Sequence, residues 1–185
     1  MELIGRGGLV PLNANHLGWL YWLAVSGDGA WNWRWRGHHP SPEEFAARLW
    51  SDGHLQRVIV DSSTGRLAGF VQSFNYDPVA RHAHISAILA PEFRRLAWPI
   101  RSIQSFVGSL FDDWNLSKVY METHDQNEGQ FKWGLRQPLR LEACRRGHIS
   151  IGGKLLTSKT YALYRDDWVT AAHRTSEILN VFGRG

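Results

Sequence analysis

The 185-residue sequence predicts one α/β domain, with a mixed, mainly antiparallel sheet flanked by helices. Three observations predict it. A sharply capped helix begins at Ser41-Pro42. Three strand-like runs then follow across short turns, which implies an antiparallel meander. A longer amphipathic stretch joins the last of these runs to a further strand, the arrangement of a right-handed crossover and a parallel pair.

Leu9–Leu12 reads as a short first strand. Asn13 caps a helix over Ala14–Val25, where Leu17, Leu20, Tyr21 and Ala24 recur at helical spacing. Ser26-Gly27-Asp28-Gly29 ends it. At Ser41, Pro42 takes the first helical position and Glu44 completes a capping box, with Phe45 and Leu49 on one face. The meander comprises Leu55–Val60, Leu67–Tyr76 and Arg81–Leu89. In the last run, His82, His84, Ser86 and Ile88 share a face.

Pro99 opens the crossover helix, whose stripe is Ile103, Phe106, Val107 and Leu110. Lys118–Thr123 is a strand, and Gln126–Arg136 is a short helix weakened by two glycines. Leu139–Ile151 and Leu155–Tyr164 flank the Gly152-Gly153-Lys154 hairpin turn. A helical tail covers residues 166–182, so the domain core runs from about 9 to 168.

Composition narrows the function classes. A chain of this length buries roughly 70% of its unfolded surface, so it needs neither disulfide nor metal to hold it. Cys144 is the single cysteine, which excludes an internal disulfide and fits a reducing cytoplasm. No apolar run reaches the ~18 residues of a membrane span, and the N-terminus lacks a signal-peptide pattern. The expectation is a cytoplasmic protein without a membrane partner, compatible with a homodimer. The net charge of +4 suits an anionic ligand. The basic residues are scattered, with Arg94-Arg95 and Arg145-Arg146 the longest clusters, which argues against nucleic acid as the main partner.

Ten tryptophans stand out. Trp31, Trp33 and Trp35 alternate with Asn32, Arg34 and Arg36, which puts their rings on one face of an extended segment. They serve either as core anchors or as the aromatic wall of a substrate pocket.

The order of elements resembles the GNAT superfamily of acyl-CoA N-acyltransferases, in the branch of ribosomal-protein N-terminal and aminoglycoside acetyltransferases. The carriers are Leu67-Ala68-Gly69-Phe70-Val71, Ile88-Leu89-Ala90-Pro91-Glu92-Phe93-Arg94, Asn127, and the closing Leu163-Tyr164-Arg165-Asp166-Asp167-Trp168. The resemblance implies a sheet split between the fourth and fifth strands, with acetyl-CoA or another acyl-CoA as co-substrate in the split. It places pantetheine beside Leu89 and Ala90, and the pyrophosphate on the loop Arg94-Arg95-Leu96-Ala97-Trp98, with Asn127 nearby. Arg94 matches the family pattern, but Ala97 and Pro99 stand where small residues are usual, adding a methyl and removing one N–H. Gly134, beside Trp133, stands where many members carry a tyrosine acid.

Transfer to an amine needs a base, and His84, His82 and Glu122 are the candidates, with His124 and Asp125 close by. The histidine pair also reads as hydrogen-bonded structure. No zinc spacing joins His82, His84, His124 and Glu122, so no metal is expected. Cys144 has no convincing histidine motif nearby to make it a nucleophile. Asp28, Trp31, Trp33, Trp35 and the stretch from Gln72 through Phe74 to Tyr76 are expected to shape the acceptor site. The leading expectation is an N-acyltransferase acting by direct transfer on a small-molecule amine or a protein N-terminus. The alternative is a GNAT fold that has lost acetyl transfer and binds another ligand or partner, or catalyses a different reaction.

Overall fold

The computed structural model describes residues 2–4, 6–27, 29–33, 35, 37–129 and 138–170. Its strands are β1 (Glu2–Ile4), β2 (Gly7–Pro11), β3 (Leu55–Asp61), β4 (Leu67–Asp77), β5 (His82–Leu89), β6 (Lys118–His124), β7 (Arg140–Ile151) and β8 (Lys154–Tyr164). The helices are α1 (Leu17–Val25), α2 (Gly29–Asn32), α3 (Pro42–Asp52) and α4 (Ala97–Asp113). One sheet of order β1-β2-β3-β4-β5-β6-β8-β7 carries them. Every neighbouring pair is antiparallel except β5–β6, which is parallel. β1 is additional to the strands read from sequence, so the expected fourth and fifth strands are β5 and β6.

Alternation along the strands gives the sheet two apolar faces. On one face Val58, Phe70 and Ile88 pack with Leu20, Phe45 and Leu49 of α1 and α3. On the other, Ile59, Val71, Ala83 and Ile85 pack under Ile103, Phe106 and Leu110 of α4. Gly7 allows β2 to meet the first turn of α4. A Cβ there would press into Ser102 Oγ and come 2.9 Å from Trp98 Cε3.

The capping chemistry is local. The Asn13 side chain accepts from Asn15 N–H at 3.0 Å, while Asn13 N–H donates to His16 Nδ1 at 3.2 Å. That cap opens a 3-10 turn over Ala14–His16, and the α-helix starts at Leu17. Ser41 Oγ accepts from Glu44 N–H at 3.1 Å. The Glu44 carboxylate turns to Arg48 at 2.8 Å.

Two expectations need correction. The Trp31–Trp35 segment is not extended. Gly29–Asn32 forms a helical turn, and Gly37, at φ 85°, closes it by donating its N–H to Ala30. Pro99 does not open α4. The helix begins at Ala97, and Pro99 is its third residue, where an N–H has no partner inside the helix in any case. The 126–136 helix is described only to 129, and the tail only to 170; the remainder lies outside the described residues. Among the described residues, no helix is long and apolar enough to cross a membrane.

Candidate functional site

β5 and β6 pair only from His82↔Lys118 to Ile85↔Met121. Beyond that point β5 stays with β4 as far as Gly69↔Leu89. β6 stays with β8 as far as His124↔Ser158. Each strand keeps its outer neighbour, so the sheet opens between Ser86–Leu89 and Glu122–His124.

Ala90 N–H donates to Ala68 O at 2.9 Å. In an antiparallel ladder consecutive residues alternate direction, so the Leu89 peptide groups face the opening. Arg94 Nε reaches back to Leu89 O at 3.0 Å. This ties the loop after β5 to the strand end. Arg95, Leu96 and Ala97 are exposed there, while Ala90 is buried. No side chain caps α4. Leu96 N–H is taken by Phe93 O at 3.1 Å. The first turn therefore presents the N–H groups of Ala97 and Trp98, at the positive end of a 17-residue helix. Trp98 stacks edge-on against Phe93 at 5.6 Å. Its buried indole N–H has no partner among the described residues.

On the α1–α3 face the opening widens into a cleft of about 360 Å³. Ile85 and Ser86 of β5 and Glu122, Thr123 and His124 of β6 form its floor, with Asn127 in the turn beyond. Gln72 and Phe74 of β4 form one wall. Trp31, Trp33, Trp35, Arg48 and Asp52 close over it. Thr123 Oγ is buried in this opening without a partner among the described residues.

The three tryptophans differ in kind. Trp33 and Trp35 are 6% exposed and belong to the core, where Phe45 packs 6.5 and 5.8 Å from their rings. Trp33 Nε1 donates to Ser86 Oγ at 3.0 Å, fastening the segment to β5. Trp31 is 42% exposed.

His84 stands two residues before Ser86, between Phe74 at 5.5 Å and Tyr120 at 5.1 Å. Burial pushes its imidazole below the ordinary value, Glu122 opposes, and His82 and Arg145 push further down. His82 lies edge-on to Tyr120 at 5.4 Å, at the closed end of the pair, with Nδ1 buried and without a partner among the described residues.

Glu122 forms an ion pair with Arg145. The same guanidinium donates to Thr160 at 3.2 Å. Sequence reading had Arg145 only as part of a basic cluster, and did not pair it with Glu122 or Thr160. Glu122 faces Thr160 across β6–β8, and Arg145 faces Ser158 across β7–β8; only that register brings the group together. Ser86, Asp52 and Arg48 were also missed as cleft residues. The strand period puts Ser86 on the His84 face, but nothing in the local sequence marks Asp52 or Arg48. Tyr161 donates to Glu128, and Tyr120 is packed among His82, His84 and Lys118. Asp28, Trp133 and Gly134 lie outside the described residues. Among the described residues, no group of three or more His, Cys, Asp or Glu is placed to hold a metal ion.

No protein-family model matches the chain. No curated protein matches it by sequence. Solved structures do match it by shape. A spermidine N-acetyltransferase from Vibrio cholerae, in complex with CoA and spermine, superposes with a TM-score of 0.78 at 17% identity, over 89% of this chain and 98% of that one. Mutant forms of the spermidine/spermine N-acetyltransferase SpeG from the same organism give 0.75 at 16%, over 90% and 98%. A SpeG chimera gives 0.73 at 16%, over 90% and 99%. At such identity the likeness is one of fold, and that fold is the GNAT fold.

Proposed function

We propose that this chain is an acyl-CoA-dependent N-acyltransferase acting on a small amine by direct transfer. The observation that carries the reading is the parallel β5–β6 pair. It opens after Ile85 and Met121, between an uncapped helix N-terminus and a cleft holding ionisable groups. The likeness to a CoA-bound N-acetyltransferase supports the same reading.

Acyl-CoA supplies the activated acyl group. Leu89 offers its peptide edge to pantetheine, as Arg94 fixes the strand end. Ala97 and Trp98 N–H, with Arg95 on the exposed loop, receive the pyrophosphate. Thr123 Oγ, without a partner among the described residues, is placed to hydrogen-bond the co-substrate within the opening. Asn127 borders it from the turn after β6. On the other side, Trp31, Gln72 and Phe74 hold the acceptor over Glu122. His84, whose imidazole burial holds in the neutral form, accepts through cleft solvent the proton released as the amine attacks the thioester carbonyl; the C–S bond then breaks, and the departing CoA thiolate takes up a proton by the same solvent route. His82 sits behind Tyr120 and orients that ring.

A second reading rests on Ala97 and Pro99. The helix offers only two N–H groups, and a methyl stands on the first helical residue, so a fold that no longer binds CoA would look like this. Calorimetric titration with CoA and acetyl-CoA separates the two. Saturable binding with micromolar affinity is expected. No heat at millimolar CoA would leave the second reading standing.

A further inference from the structure

Resting on the transferase reading, we infer that the acceptor is a monoamine with one ammonium on a planar apolar body, in chemical class an aryl-alkylamine, and not a polyamine. The charges around the cleft carry this furthest. Among the described residues, the carboxylates lining it are Asp52 and Glu122, and the cation is Arg48. Arg145 adds a second positive charge by binding Glu122. Glu44, the partner of Arg48, adds a third carboxylate, so among the described residues three negative charges stand against two positive, a surplus that matches one ammonium and not the several of a polyamine, which binds best along a row of carboxylates. Arg48 is itself fixed at the rim, paired with Glu44 at 2.8 Å and lying 5.4 Å from the Trp35 ring centre.

The walls favour a flat body. Of the three tryptophans lining the cleft, Trp31 is the exposed one, and Phe74 stands on the adjacent β4 wall. A ligand ring stacks on such surfaces with an attraction beyond simple burial. Its ammonium gains from the aromatic faces and from Glu122. The cleft of about 360 Å³, at the small end of ligand pockets, also takes the acyl end of the co-substrate, which leaves the acceptor room for a single ring system and a short chain.

The test is calorimetric titration of the whole chain with phenethylamine and with spermidine, each with and without CoA. Phenethylamine is expected to bind saturably and about 10-fold tighter than spermidine. Trp31→Ala should weaken phenethylamine about 10-fold and leave CoA affinity unchanged, while Trp31→Phe, which keeps a ring, should restore most of the affinity. Equal or tighter spermidine binding overturns the inference, as does unchanged phenethylamine binding in Trp31→Ala. If phenethylamine binds but CoA does not, the transferase reading fails and the aryl-amine site stands. If CoA binds and phenethylamine does not, the acceptor inference fails and the transferase reading stands.

Discussion

The two halves of the sheet are built on different physics. From β2 to β5 both faces are apolar and covered, by α1 and α3 on one side and α4 on the other. From β6 to β8 and β7, one face is held by charge. Lys118 pairs with Glu142 at 3.1 Å, Tyr164 donates to Glu142, and Arg145 binds Glu122 and Thr160. Arg140 pairs with Asp167 at 2.7 Å. The covered half supplies folding free energy, because apolar burial is worth far more than half-exposed ion pairs. The charged half leaves ionisable groups at an opening where a ligand can reach them. The candidate site lies on the seam.

The contrast can be broken most forcefully in the covered half. Phe106 of α4 is fully buried against the sheet, and Phe106→Ala should destabilise the fold by about 3–5 kcal/mol, read as a lower denaturant midpoint. A loss below about 1 kcal/mol would mean that this half is not the source of stability.

At the seam, His84→Asn should lower the acetyl-transfer rate by about 100-fold or more. The pH profile sharpens this. Burial lowers the His84 value in the folded chain, so the neutral base is present at pH 7 and is lost as pH falls below the ordinary histidine value of about 6.5. Stability has the same sign. The unfolded chain takes up that proton first, so acidification through this window favours unfolding. The acid limb of the rate profile should vanish in the variant. A limb that persists assigns the base elsewhere.

A smaller effect is expected at the loop after β5. Arg94→Ala releases the Leu89 carbonyl and should weaken CoA about 10-fold while leaving the denaturant midpoint nearly unchanged. Unchanged CoA affinity would remove Arg94 from the binding edge.

The smallest effect belongs to the charged half. Glu142→Gln should cost less than about 1 kcal/mol, because Lys118 and Glu142 are both partly exposed. A loss comparable to Phe106→Ala would erase the distinction between the halves.

Much of the fold was legible because its signals are local. The Asn13 and Ser41 caps, the α4 stripe and the Gly152-Gly153 hairpin turn each act over a few residues, and all of them are present. The helix start at Ala97 was not legible, since proline favours the first turn without fixing its position in it. The Trp31–Trp35 segment misled for a related reason. Alternation reports a shared face only if the backbone is extended, and here a glycine turn brings all three indoles to one cleft by another route.

For the candidate site, the sequence determined which residues share a face. His82, His84 and Ser86 on β5 follow from the two-residue period of a strand. Tertiary structure alone decided which of these groups meet. Arg145 reaches Glu122 because two antiparallel registers place β7 beyond β8 beside β6. Trp33 and Trp35 are core while Trp31 is wall, because Phe45 and Phe70 take up the first two. Periodicity is carried by bonds between neighbours and is written along the chain. Register and burial depend on residues tens of positions apart, whose pairing is settled only when the sheet closes over its core.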